Sequence, residues 1–557
     1  MSTAEDVPRE IITRPGVDPA TVFGKPPPPP LGHELVRHDT LVVEKDAAVE
    51  LRDGTTIYLD IYRPSFEATD LPVLLAWGPY GKHWVTSRTF SGSGVDPAWI
   101  SDFTGFESPD PVYWTRHGYA VAFADPRGLW HSEGDFSHNG PQEREDLYDT
   151  IEWLGSRAWS NGNVGMLGVS YLAGAQYQAA SVRPPSLKAI SPWECFADWY
   201  REFATHGGIP ETGFRPRVST NVSYGLSRTE NTAANLEAHP FDDWYYADKY
   251  GPFEDIEVPA YVVASWSDHG LHSRGTLNAF ALMGSEQKWL EVHGQKKWAY
   301  FYEPESMERQ RAFFDTFLKG QERGIEDWPR VRVEVRDTGD PADSSWRVLP
   351  EWPAADEFTS LHLDAASGAL AERAPADGSV RTFDPMTESA DFVYEFPAET
   401  EIIGPASLTL WLSADQATDA DVFVVLRKLR ADGSEVYFPF NALFADGPVA
   451  LGWLRASHRE LDDDASTNLV PVHPHRREEP LTPGEPVRLD IEIWASGTVF
   501  HAGEKLVLTV QGRDWIKRPP ADGVPPLQIL HESLRNEGTW TVRTGGEYAS
   551  VLRLPRA

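Results

Sequence analysis

Cysteine is almost missing from this chain. Cys195 is the only one in 557 residues, so no internal disulfide can form and a reducing compartment is favoured. Long apolar runs are missing too. No stretch approaches 18 consecutive apolar residues, and the leading MSTAEDVPREIITRPG has no apolar core of the kind a signal peptide carries. A soluble, cytoplasmic protein with no membrane partner is therefore expected. Positive charge is in deficit: Asp and Glu outnumber Lys and Arg 84 to 50, and the net −34 disfavours nucleic acid as a partner. Core-forming residues are not scarce, since 41% of the chain is hydrophobic, enough for about two to four domains at this length.

Residues 1–36 are polar and punctuated by proline, ending in Pro26-Pro27-Pro28-Pro29-Pro30. Such a run prefers polyproline II and reads as an arm on its own protein rather than a ligand for a partner domain. From Asp39 the pattern changes. Leu41 to Val43, Val49 to Leu51 and Ile57 to Tyr62 are strand-like, with hairpin chemistry at Arg52-Asp53-Gly54-Thr55. Leu71 to Trp77 and Tyr119 to Ala124 are continuous apolar runs, as in strands buried on both faces. The first runs into Gly78-Pro79-Tyr80-Gly81, beyond a strand's carboxyl end, where open α/β sheets place their sites. Tyr80 is thus a loop aromatic or a hydroxyl donor aimed at a site. The turn Asp125-Pro126-Arg127-Gly128 reads as a structural lock, and Glu143, Asp146, Ile151 and Trp153 lie on an amphipathic helix.

The chemistry centres on Gly165 to Gly174. A short Gly- and Val-rich strand runs into Gly168-Val169-Ser170-Tyr171, and an Ala-rich helix follows from Leu172. A serine on such a turn is held strained, with its Oγ clear of the sheet and helix N–H groups close by. Two further strands end in candidate partners. Val258 to Trp266 ends in Ser267-Asp268-His269-Gly270, and Gln287 to Val292 ends in His293-Gly294. Ser170, Asp268 and His293, in that chain order and each after a strand, form the expected triad of nucleophile, acid and base. His269 and His272 compete for the base, but a histidine beside the acid on one tight turn is expected to struggle to span both Asp and Ser. The pair His473 and His475 has ligand-like spacing without a second cluster, so it reads as loop and no metal is expected.

Arg52-Asp53-Gly54, Gly78-Pro79-Tyr80, Asp125-Pro126-Arg127-Gly128 with Ser132-Glu133-Gly134, and Trp159-Ser160-Asn161-Gly162 with Gly168-Val169-Ser170-Tyr171 together resemble the X-Pro dipeptidyl-peptidase-like acyl hydrolases, and within them the CocE/NonD branch. The resemblance implies an α/β fold: an arm over 1–36, an α/β-hydrolase core over 37–192 and 256–325, an inserted helical cap over 193–255, and an all-β jelly-roll sandwich over 326–557. It also implies that the backbone N–H of Tyr171 and the hydroxyl of Tyr80 hold the oxyanion, that no cofactor is needed, and that the substrate is a small-molecule ester or amide. Two departures stand out. Ala173 replaces the family's usual glycine, and the family's histidine, a few residues after a Gly-Pro-Trp turn, would fall near Trp298. Three readings follow: an acyl hydrolase, an ammonium-recognising X-Pro exopeptidase or α-amino-acid ester hydrolase, and a non-catalytic binding protein. The segment after Asp268 lacks extra carboxylates, which argues against ammonium recognition unless Glu194 or Glu202 substitutes. A homo-oligomer is compatible with the sequence.

Overall fold

The apolar runs pair into one sheet. In the computed structural model, which describes residues 9–18, 29–82, 90, 92–221, 224–353, 356–518 and 528–556, eleven strands lie side by side. Of the proline run, Pro26 to Pro28 lie outside the described residues. Strands Val331–Val335, Lys288–His293, Ala260–Ser265, Leu187–Trp193, Ser160–Val169, Leu71–Trp77 and Ala120–Asp125 are neighbours in that order and mutually parallel. Antiparallel strands Thr56–Arg63, Val42–Glu50 and Glu34–Arg37 extend one edge. Strands Leu71–Trp77, Ala120–Asp125 and Ala260–Ser265 are buried along their whole length, and helices Pro141–Gly155, Tyr171–Ser181 and Pro304–Lys319 pack on the middle of the sheet.

The two strand-like stretches expected at Leu41 to Val43 and Val49 to Leu51 are one strand, bulged between Glu44 and Ala47. Asp46 sits in the bulge with φ 51°, and its carboxylate is paired with buried Lys82. The bulge thus turns a charge inward without unpairing the strand. Asp125-Pro126-Arg127-Gly128 does lock its loop: Arg127 makes a two-pronged bond to Asp146 at 2.7 Å on each prong. In the N-terminal segment, Thr13–Pro15 pairs with Arg228–Glu230, so the described part of the arm lies on its own protein.

Between Trp193 and Ala260 the chain leaves the sheet. This stretch holds a π-helical turn, Tyr200–Ala204, the short helices Phe214–Asn221, Thr232–Ala238 and Trp244–Ala247, and the small pairing of Thr205–His206 with Ile209–Pro210. Beyond Phe358 the described chain is all-β. Twelve strands form a second sheet, and the pairing of Thr400–Ala414 with both Val487–Phe500 and Val551–Pro555 closes it into a barrel around its own apolar core.

The barrel is fastened beneath the carboxyl ends of the parallel strands. Arg336, fully buried, donates to Val449 O at 3.1 Å and Ser496 Oγ at 2.8 Å, and its backbone N–H reaches Gly497 O at 3.0 Å. Gly294 makes room for it: a Cβ there would stand 2.5 Å from Arg336 Cδ.

The strand entering the serine ends in a comparable squeeze. A Cβ on Gly168 would lie 2.5 Å from Leu172 Cβ and 3.0 Å from Glu107 O. Gly168→Ala should therefore destabilise the protein by about 1–3 kcal/mol through overpacking, read as a lowered thermal unfolding midpoint. An unchanged midpoint would show that the turn has room to spare.

Candidate active site

Ser170 stands at the tip of the turn with φ 62° and ψ −119°, a backbone region that costs about 1–3 kcal/mol for a non-glycine residue. Two things hold it there. Its N–H is shared between Trp193 O at 2.9 Å and Glu194 O at 3.0 Å, and the helix Tyr171–Ser181, buried throughout, begins at the next residue. Ala173 is fully buried on that helix, where its methyl adds packing. The Tyr171 backbone N–H is the first of the helix and belongs to the unsatisfied donors of its opening turn. The Tyr171 hydroxyl points elsewhere, donating to Glu143 Oε1 at 2.9 Å alongside Trp77 Nε1 at 2.7 Å.

Tyr80 is half-buried at the end of the neighbouring strand. Its hydroxyl lies beside Ser170 and Glu107, and burial, reinforced by the Glu107 carboxyl, pushes it well above the usual phenol range, so it stays neutral. The turn that presents it is tight: Cβ atoms on Gly78 and Gly81 would run into Leu172 at 2.5 Å and the Trp130 ring at 2.6 Å.

The base is where the expectation fails. His293 does not meet Ser170. Its Nδ1 accepts from the N–H of Gln295 at 3.1 Å, which leaves the proton on Nε2, and Nε2 donates to Glu194 Oε1 at 3.1 Å. The ring is stacked on Tyr300 at 4.0 Å and fully buried. The imidazole beside the serine belongs to His272, with Nε2 3.2 Å from Ser170 Oγ and Nδ1 2.6 Å from Asp268 Oδ2. His269 points the other way, accepting from the Leu451 N–H of the barrel at 3.2 Å.

Helical geometry lets a histidine this near the acid reach both partners. After Ser265 the chain curls directly toward the helix Ser273–Leu282, and Asp268 O accepts from the N–H groups of Leu271 and His272, both at 3.1 Å. Gly270, at φ 81°, allows the curl. Residues four apart on such a turn share one face, so Asp268 and His272 are side-by-side neighbours and need no second loop to meet. The signal available in the sequence was the Asp-x-x-x-His spacing leading into a helix.

Buried ionisable groups crowd around this pair. Lys297 Nζ donates to Asp268 Oδ2 at 3.0 Å and lies 3.2 Å from His272 Nδ1. Burial opposes ionisation of Asp268, but Lys297 and His272 outweigh it and hold the carboxyl well below the usual range. Burial, then the Lys297 ammonium, lowers His272 to about 4. Burial raises Glu107 to about 7, although Lys297 and the Trp298 indole, donating at 2.9 Å, oppose the rise.

Residues 53–238 match the X-Pro dipeptidyl-peptidase (S15 family), and residues 323–553 match the X-Pro dipeptidyl-peptidase C-terminal non-catalytic domain. The crystal structure of a CocE/NonD family hydrolase from Staphylococcus aureus superposes with a TM-score of 0.90 at 36% identity, over 94% of this chain and 96% of its own. The chain belongs to the CocE/NonD family. It is accordingly a hydrolase of the esterase type. The cocaine esterase of Rhodococcus sp. (strain MB1 Bresler) is 26% identical over 92% of this chain and 98% of its own length. An α-amino-acid ester hydrolase shares the fold, with a TM-score of 0.71 at 18% identity over 97% of this chain and 100% of its own. No helix among the described residues is long and apolar enough to cross a membrane.

With His272 as the base, an unusually low acid limb is expected. The imidazole is competent while neutral, and with its pKa at about 4 it stays neutral far below the range where an ordinary histidine charges. The profile of kcat/KM should hold from neutrality down to about pH 5 and fall only below that. A fall centred near an ordinary histidine value would show that a different group titrates.

Proposed function

We propose that the chain hydrolyses acyl esters or amides of small molecules through a covalent acyl-enzyme on Ser170. The observation that carries this is the unbroken line Ser170 Oγ, His272, Asp268, at 3.2 and 2.6 Å. Ser170 Oγ attacks the carbonyl carbon as its proton passes to His272 Nε2. The tetrahedral oxyanion is met by the Tyr171 N–H and the Tyr80 hydroxyl. Collapse expels the alcohol or amine, which takes the proton from His272, and water then repeats the sequence to release the acid and free the serine. Asp268 keeps the imidazole proton on Nδ1 and steadies the imidazolium. In this reading His293 has no part in the proton transfer; it braces Glu194. We read the segment between Trp193 and Ala260 as the cap over the acyl pocket, and the barrel as the family's jelly roll.

Recognition of an α-ammonium, as in the X-Pro exopeptidase and amino-ester alternatives, needs a carboxylate facing the substrate. The two proposed for it are engaged inside the protein. Glu202 pairs with Arg274 at 2.8 Å and accepts the N–H groups of Ala197 and Asp198, and Glu194 is bound to His293. Both observations favour substrates without an ammonium group. On a panel of aryl esters and amides with and without that group, the ammonium-free members should give the higher kcat/KM; the reverse order would restore the alternative.

Mutation separates the two histidines. Ser170→Ala and His272→Ala should each cost about 10⁴-fold or more in kcat with the fold intact by circular dichroism. His293→Asn should leave measurable turnover, and Tyr80→Phe should cost about 10²–10³ through loss of one oxyanion donor. Turnover that survives in His272→Ala but vanishes in His293→Asn would return the base to His293.

A further inference from the structure

Asp268 is buried, and both of its oxygens need partners. Oδ2 has two, His272 Nδ1 and Lys297 Nζ. Oδ1 has no donor among the described residues, and neither has Oε2 of Glu194, also fully buried. The two carboxyls are neighbours, since ligand atoms of Glu194, Asp268 and His272 all lie within 4.8 Å of one another. Two ionised carboxylates this close, away from water, would leave two acceptors unsatisfied and two like charges in a low-dielectric site. One proton between them removes both penalties. Asp268 is held ionised by Lys297 and His272, so the proton belongs to Glu194, whose other oxygen accepts from His293.

We propose that Glu194, as a neutral carboxylic acid, and Lys297 are positioning residues that clamp Asp268 from opposite sides and thereby aim His272 at Ser170. A base on the segment after strand Lys288–His293 would be aimed from a different strand end than the acid's. His272 hangs on the acid's own turn, so its direction depends on how firmly the acid is held, and the clamp supplies that firmness. Lys297 opens the helix Lys297–Tyr302 that follows His293, and its ammonium takes Oδ2 of Asp268. It also sets the protonation of the base: a fixed positive charge 3.2 Å from Nδ1 disfavours the imidazolium. The ionisable groups facing His272 are Ser170, Asp268 and Lys297, with Glu194 and Glu107 behind them. Burial and the Asp268 charge together push Glu194 well above the usual carboxyl range, in keeping with its role as donor.

The inference rests on His272 being the base, and the experiment keeps the two apart. Glu194→Gln, Glu194→Ala, Lys297→Met and His272→Ala are purified, checked by thermal melting, and assayed on one aryl ester across pH 4 to 9. Glu194→Gln keeps a donor toward Asp268 and an acceptor toward His293, so its kcat should stay within about three-fold of the parent. Glu194→Ala should lose about 10²-fold, the order expected when a reacting group is misplaced by about 1 Å. Lys297→Met should lower kcat more than it changes KM and move the acid limb of kcat/KM upward, toward an ordinary histidine value. If Glu194→Gln is as damaged as Glu194→Ala, the carboxyl acts through its charge and the clamp is wrong. An unmoved acid limb in Lys297→Met would likewise overturn it, while inactivity of His272→Ala left the base standing. Turnover retained in His272→Ala would remove the reading and the clamp together. Should Lys297→Met not fold, the Glu194 pair decides alone.

Discussion

The site depends on one buried charge. Burial alone would drive the Asp268 carboxyl toward neutrality, yet the Lys297 ammonium and the His272 N–H keep it ionised. An unpaired carboxylate in that position would cost several kcal/mol, so the groups around it are constrained to stay where they are. The turn that carries Asp268 closes on its own backbone oxygen. The segment after strand Lys288–His293 delivers Lys297 to it, and Glu194, which follows the strand beside the nucleophile's, completes its surroundings. Three separate strand ends therefore converge on a single side chain.

The barrel takes part in this arrangement and does more than sit beside it. Its Leu451 N–H bonds His269 Nδ1 and its Asn441 N–H bonds Ser267 O, so the residues on both sides of Asp268 are fixed by the second domain. Arg336 anchors the same face. It is buried without a carboxylate bonded to its guanidinium among the described residues, and burial lowers its pKa to about 9. Its hydrogen bonds instead go to Val449, Ser496, Thr498 and Gly497. A site aimed through one short turn needs that turn braced from outside, and the barrel provides the brace.

The protein is strongly acidic, but its site is not correspondingly anionic. Burial raises Glu107 and Glu143 to about 7, and Glu202, also raised, is paired with Arg274. Fixed negative charge beside a developing oxyanion would oppose it strongly in a medium of low dielectric. Buried carboxylates outnumber buried cations among the described residues, but at Asp268 the Lys297 ammonium stands directly against the charge.

Local pattern made much of this visible in the amino-acid order. Continuous apolar runs marked the buried parallel strands, since only strands covered on both faces dispense with alternation. Gly168-Val169-Ser170 between a strand and an Ala-rich helix marked the sharp turn, and Asp268 stood directly after a strand. The bulge at Asp46 was less legible, because a charge inside a strand looks like a strand end until Lys82, brought from another loop, pairs with it. The base was not legible as a contact. His269, His272 and His293 all stand at or just beyond strand ends of one sheet, and chain order alone does not say which ring faces Ser170. That choice was made by the curl of the Asp268 turn, by the Gln295 and Glu194 bonds that consume both nitrogens of His293, and by the barrel bond that takes His269. Each is a contact between segments far apart in the chain. The sequence by itself determined which residue types stand at the strand ends; tertiary packing decided which of them meet, because a side chain's direction depends on the backbone it curls with and on the partners that fill its remaining hydrogen bonds.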